Sequence, residues 1–334
     1  MWLKRVTPPR FELGTYGLKV RCSAIELESR NRHTGREATL DSTAYACRLH
    51  RDQRTDMSLS SFADNPERMT LAFVVAACVA FLACRVRALS LDGAFAAAAV
   101  GTANVAGSGW WCGAALVLYF VTATALSKLR ASRSSEIRQH RGNRRDAVQV
   151  LANGGVPTLL ALIAWSTDSP VWTIGVFCAI AAATADTWAT EIGRLTQATP
   201  RSITSWKQVA VGTSGAISIP GSAASLLGSL LIAMFASIGI AFGWVGGNSS
   251  SVEILAIVFI AGFAGSLLDS FLGGTIQESY RCETCQESTE MRIHNCGSAC
   301  RRTGGIAGIN NDVVNLLSTA VPAMIAAMLL GIAS

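Results

Sequence analysis

Charge is scarce in this chain. Only 15% of its 334 residues are Asp, Glu, Lys or Arg, against about 25% in ordinary soluble domains, and half are apolar. Residues 93–127, 147–167, 208–252, 254–268 and 313–334 carry no charge at all. A spanning helix needs roughly 20 apolar residues, so the longest of these runs holds two, and a water-soluble fold is excluded. The motifs G-x-x-x-x-G-K-[ST] and G-x-G-x-x-G are both missing, which removes the P-loop and Rossmann sites. No nucleic-acid-binding motif accompanies the net charge of +6, so no nucleic-acid partner is expected. The apolar core of a secretory signal is also absent from the N-terminal stretch.

What remains is an all-α, polytopic membrane protein of about seven to eight transmembrane helices over residues 69–334. Helices are expected at 69–84, as a pair within 93–127 broken at Gly107-Ser108-Gly109, and at 149–165, 171 to about 188, 216–242, 254 to about 276, and 313–332. The segment 128–145 is rich in Lys and Arg and reads as cytoplasmic by the positive-inside rule. Placing every basic loop on that side gives eight helices with both ends opposite. Residues 1–68 are polar and unpatterned. They read either as a disordered extension or as sequence ahead of a later start, since Met57 and Met69 both precede the first apolar run.

Under that topology Asp92, Asn153, Asp186, Glu191, Lys207, the loop Gly212-Thr213-Ser214-Gly215, Asp269, Asn310, Asn311, Asp312 and Asn315 all fall at the cytoplasmic edge. A carboxylate on a membrane helix is costly unless a partner, an ion or water receives it. Asp186, Glu191, Lys207 and Asp269 are therefore candidate catalytic groups. Asp186, Asp269 and Asp312 could hold Mg²⁺, and Asn153, the glycine loop, Asn311 and Asn315 could contact substrate. The loop precedes an apolar helix, whose N-terminal N–H groups attract anions. Competing readings are an ion pair from Asp186 and Glu191 to Arg194 or Lys207, an Asp269 bonded to Ser hydroxyls, and residues 310–315 as a helix cap.

Within residues 277–311, Cys282, Cys285, Cys296 and Cys300 have the spacing C-x₂-C-x₁₀-C-x₃-C. It resembles a small structural Zn²⁺ loop in a reducing compartment. His294 could replace one thiolate, and unconnected thiols or a redox pair are the alternatives.

Four blocks stand in order along the chain: residues 185–193 (Ala-Asp-Thr-Trp-Ala-Thr-Glu-Ile-Gly), 212–215, 267–270 (Leu-Leu-Asp-Ser) and 310–315 (Asn-Asn-Asp-Val-Val-Asn). They resemble the signature blocks of the integral-membrane family that includes transmembrane protein 19 and the plastid phytyl-phosphate kinase. Residues 145–155 resemble a further block, and the match runs from about Met69 to the C-terminus. The family tends to have Gly-Thr-Asn-Gly-Gly where this chain has Gly212-Thr213-Ser214-Gly215-Ala216. The resemblance implies transfer of a phosphoryl group from a nucleoside triphosphate, CTP or similar, to a phytyl-like isoprenoid monophosphate at the membrane. A transporter of lipid or phosphorylated metabolites is the alternative, because broken helices and intramembrane charges also mark transport sites.

Overall fold

The computed structural model describes residues 66–133, 144–196, 198–246, 249–286, 288–294 and 296–333. The expectation for residues 1–68 lies outside these except at its last three positions, and so does the middle of the basic segment.

Among the described residues seven long helices follow in order: α1 (Pro66–Arg85), α2 (Leu91–Arg133), α3 (Ala147–Thr167), α4 (Pro170–Leu195), α5 (Ile219–Ala241), α6 (Ser251–Thr275) and α7 (Asn311–Ala333). Each is long and apolar enough to cross a membrane. Phe73, Phe81, Phe95, Leu159, Ile260 and Leu329 are exposed on the outside of the bundle, which lipid favours.

Helix α2, with 43 residues, would be roughly 65 Å long if straight, about twice the ~30 Å apolar layer. It breaks at Gly109, where φ is 83°, a conformation that glycine adopts without the usual side-chain clash. A Cβ added at Gly113 would lie 2.4 Å from Cγ2 of Val105, so the chain doubles back on itself. The two ends of the hairpin meet again at Arg145: the Ser90 hydroxyl donates to its carbonyl at 3.1 Å, and its guanidinium donates to the Thr124 hydroxyl at 3.2 Å. Helix α2 is therefore read as two antiparallel crossings, which makes eight crossings among the described residues.

Helix α4 is the axis of the bundle, with residues 173–185 buried without interruption. Its Ala-rich sequence allows this, because helices in lipid are held by close packing of small side chains. Glycines of two neighbours supply the other half of the contact. Cβ atoms at Gly221 and Gly228 of α5 would stand 3.1 and 3.2 Å from the Ala189 and Thr184 carbonyl oxygens. At Gly262 and Gly265 of α6 they would stand 2.7 and 2.4 Å from the Cβ atoms of Ala181 and Ala182. Helix α4 runs to Leu195, beyond the expected end near Trp188, so Glu191 and Arg194 are helical.

The connections are capped locally. Asp146 and Gln149 form a reciprocal capping box on α3, and Ser218 and Ser250 cap α5 and α6. Asp92 also serves a cap, its Oδ2 accepting from the Ala147 N–H at 3.0 Å. Two small antiparallel sheets add to the helical expectation: β1 (Arg201–Ser202) with β2 (Ala216–Ile217), and β3 (Ser279–Cys282) between β4 (Ser288–Thr289) and β5 (Cys300–Gly304). Strands this short leave no measurable alternation in a sequence.

Candidate functional site

A cavity of about 1100 Å³ opens at the edge of the bundle that carries the basic segment. Helices α2 to α7, the turn before α5 and the segment before α7 all contribute walls.

Asp186 and Asp269 line it together. One helical turn before them, Ala182 of α4 touches Gly265 of α6. The next contact along the two helices brings the carboxyl groups within hydrogen-bonding reach of each other. The Ser318 hydroxyl of α7 donates to Oδ2 of Asp269 at 3.0 Å, and Arg194 lies near Asp186. Two carboxylates this close, in a half-buried setting, require a cation or a shared proton between them. Ser225, only 2% exposed, lines the same cavity, and its hydroxyl has no partner among the described residues.

Glu191 does not join this pair. Five residues beyond Asp186 is about 140° further around the helix, so it faces α2. There its carboxylate is held by Nε of Arg130 and by the Ser127 hydroxyl at 2.7 Å. The ion pair considered for Glu191 exists, with Arg130 as partner in place of Arg194 or Lys207. The expected position of Lys207 needs a larger correction. It is exposed and stands outside the cavity, in the turn between β1 and β2, where its carbonyl accepts from the Ser202 N–H at 2.9 Å. Cavity-lining cations include Lys128, Arg130, Arg145, Arg194 and Arg292.

Residues 212–215 line the cavity, though β2 separates them from α5 and Ser218 already caps that helix, accepting from the Gly221 N–H at 3.2 Å. Gly215 has φ 73°, and a Cβ there would lie 2.4 Å from Cα of Gly274, so close approach to α6 demands glycine. Ser214 donates to Oε1 of Glu290 at 2.6 Å and accepts from Gln277 at 3.3 Å, which ties the loop to the segment before α7. Asn153, Asn311, Asp312 and Asn315 also line the cavity. Asn310 caps α7, its Oδ1 accepting from the Val313 N–H at 3.0 Å. Among the described residues no third carboxylate, Asp312 included, completes a tight ligand set with Asp186 and Asp269.

In the segment before α7, ligand atoms of Cys282, Cys285, His294 and Cys296 all lie within 4.8 Å of one another. Three thiols and an imidazole make a set that zinc accepts. Cys300, expected as the fourth ligand, is outside this set and His294 stands within it. Cys300 nonetheless stands opposite Cys282 across the β3–β5 ladder, close to the Cys282 thiol, and the Cys300 Sγ lies 3.9 Å from the Ser298 carbonyl. Hydrogen bonds from Ser298 and His294 pull the Cys296 thiol down to about 6. The bond to Cys296 pushes Cys285 up to about 12.

The cluster adjoins residues 290–293, which form a rim of the cavity. Glu278 supports that rim. Burial opposes its charge, but hydrogen bonds from the Gly308 N–H, the Tyr280 hydroxyl and Arg292 hold its carboxyl below its ordinary range. Sequence reasoning missed Glu278, Arg130 and Ser225, since single polar residues carry no spacing signal.

Comparison with known proteins places the chain in a family. The family described as integral membrane protein DUF92 matches residues 74–323. The chain belongs to this family. Protein PGR of Arabidopsis thaliana is 29% identical over 270 residues, which is 75% of this chain and 92% of the relative. An uncharacterized membrane protein of Methanocaldococcus jannaschii is 32% identical over 190 residues, 55% of this chain and 62% of the relative. Protein VTE6, chloroplastic, of Arabidopsis thaliana is 25% identical over 251 residues, 73% and 66% respectively. No solved structure gives a significant match. The DUF92 match spans both aspartates, the glycine loop, the Cys/His cluster and Asn315.

Proposed function

We propose that the chain is a kinase that transfers the terminal phosphoryl group of a nucleoside triphosphate to a phytyl-like isoprenoid monophosphate at the basic edge of the membrane. The observation that carries this reading is the facing pair Asp186 and Asp269, set in a cavity whose wall also carries guanidinium, amide, hydroxyl and further carboxylate groups. Carboxylate oxygens suit Mg²⁺. Asp186 and Asp269 would hold it, and Mg²⁺ would neutralise charge on the donor phosphates; Asp312 lines the same cavity.

The chain's own residues do the rest. Arg194 stands beside Gly212, its Nε 3.9 Å from where a Cβ would be, which offers a guanidinium and backbone N–H groups to a phosphate. Ser225 offers a free hydroxyl deeper in the cavity. The acceptor is already an anion, so its phosphate oxygen attacks without a strong base while the bond to the nucleoside diphosphate breaks. Positioning and charge neutralisation then carry the rate. A zinc ion on Cys282, Cys285, His294 and Cys296 would fix the rim at residues 290–293. The relatedness to Protein VTE6 supports the same reading, as does the likeness of the signature blocks to those of the family with the phytyl-phosphate kinase.

The test is direct. Purified protein in nanodiscs is incubated with each labelled nucleoside triphosphate and with geranyl, farnesyl or phytyl monophosphate. Mg²⁺-dependent formation of labelled prenyl diphosphate is expected. Absence of transfer from every donor, with uptake of intact phosphorylated compounds into proteoliposomes, would establish the transporter instead.

A further inference from the structure

We propose that the apolar groove between α1, α2 and α3 holds the prenyl chain of the acceptor, with Arg145 at its mouth receiving the phosphate. This rests on the kinase reading above and assigns the acceptor its own place within that site. The groove has a volume of about 380 Å³. Small and aliphatic side chains make most of its wall, among them Ala76 and Ala80 of α1 and Ala97, Gly101 and Val117 of α2.

The groove is continuous with the polar cavity. Tyr119, Arg145, Gln149 and Asn153 line both. A molecule with an anionic head and an apolar tail therefore fits across this junction, with its head toward Asp186 and Asp269 and its tail among the helices. Arg145 is half-buried, lies 5.5 Å from the centre of the Phe120 ring and donates to the Thr124 hydroxyl at 3.2 Å. Among the described residues no carboxylate lies within ion-pairing distance of it. A guanidinium held over an aromatic ring, with no carboxylate partner among the described residues, is suited to a phosphate, which it can meet with two parallel N–H donors.

The dimensions fit a lipid-soluble acceptor. From Phe120 to Trp110 the second half of α2 covers about 15 Å, roughly half of the ~30 Å hydrocarbon layer. Val75 and Val117 on the walls are 41% and 38% exposed, so the groove is open sideways to lipid and a tail can enter without leaving the bilayer. Depth along the groove then selects chain length. Ala97 is four residues, about 6 Å, from Gly93, which packs on the Arg145 carbonyl, and Val75 is eight residues, about 12 Å, from Ala83 in the last turn of α1.

The experiment uses phytyl monophosphate carrying a diazirine at the tail end. It is irradiated with the full chain in nanodiscs, and the adducts are mapped by mass spectrometry. Adducts are expected at residues 72–79 and 110–117, displaced by phytyl monophosphate and not by an equal amount of dioleoyl phosphatidic acid. Arg145→Gln should lower labelling at least tenfold. Ala97→Phe should block tails of every length, whereas Val75→Trp should block phytyl and spare geranyl. Adducts on α5 or α6 instead, or displacement by phosphatidic acid, would overturn the groove assignment even in a protein that transfers phosphate. Groove labelling with this competition pattern, in a protein that transfers none, would uphold the groove and overturn the kinase.

Discussion

Asp186 and Asp269 face each other one helical turn beyond the contact between Ala182 and Gly265. A Cβ at Gly265 would lie 2.4 Å from that of Ala182 and 2.9 Å from the Ser318 carbonyl oxygen. The absent methyl group at position 265 therefore sets how close α4 and α6 come, and with it the separation of the two carboxylates.

Gly265→Ala should push these helices apart. Overpacking of this kind costs about 1–3 kcal/mol, and the widened carboxylate pair should lose transfer activity as well. Gly155→Ala on α3 is the control, because a Cβ there has no neighbour within 4 Å. It should be neutral or stabilise by up to about 1 kcal/mol through helix propensity. Melting curves in one lipid mixture compare the two, and equal melting temperatures would contradict the packing account.

Glu191 and Lys207 should separate in their effects. Glu191→Gln leaves Arg130 without its carboxylate in a half-buried site, at a cost of roughly 3 kcal/mol. A lower melting temperature is therefore expected, partly restored when Arg130→Gln is added. Lys207→Ala should change neither stability nor turnover by more than about twofold, since exposed surface positions are usually near neutral. A large loss of turnover in Lys207→Ala would return that residue to the site.

The helices and the edge that carries the site were legible because charge-free runs and basic loops are long-range signals. The break at Gly109 was legible for the same reason, as no run of that length fits one crossing. Partners were less so. Asp186 and Glu191 look like neighbours in sequence, yet helical geometry turns them to different helices, α6 and α2. Lys207 looked suited to phosphate, but whether a loop lysine points into a cavity depends on the β1–β2 turn, which two-residue strands do not announce. Cys300 and His294 could not be told apart by spacing, because both lie close to Cys282 and Cys296 in the folded loop and only the positions of the ligand atoms separate them.

The Cys/His cluster yields a metal prediction. Cleanly prepared protein should contain one zinc per chain. Cys282→Ser and Cys285→Ser should lose it and loosen the cavity rim, because ligand loss removes folding energy. Cys300→Ser should retain it. Elemental analysis of the three variants decides, and zinc loss from all three alike would contradict the ligand set.

Glu278 makes the rim sensitive to acid. Its folded-state carboxyl is held below the ordinary value of 4.5, so its ionised form adds stability above that pH. That contribution is lost as pH falls through the depressed value. Glu278→Gln should be less stable near neutrality and lose less on acidification. Hydrogen exchange of residues 276–309 from neutral pH to below 4.5 measures this, and an unchanged acid response in the variant would contradict it.

Asp186 and Asp269 are expected to serve phosphoryl transfer and not to support the fold. Asp→Asn keeps size and one acceptor oxygen but removes the charge that a divalent cation needs. Turnover and melting temperature are measured together, in the same nanodisc preparations, for wild type, Asp186→Asn and Asp269→Asn. Both variants should insert and melt at or slightly above the wild-type temperature, since adjacent carboxylates repel when no cation lies between them. Both should lose transfer by about a hundredfold or more. Near-normal turnover in either variant, or collapse of both folds, would contradict the account.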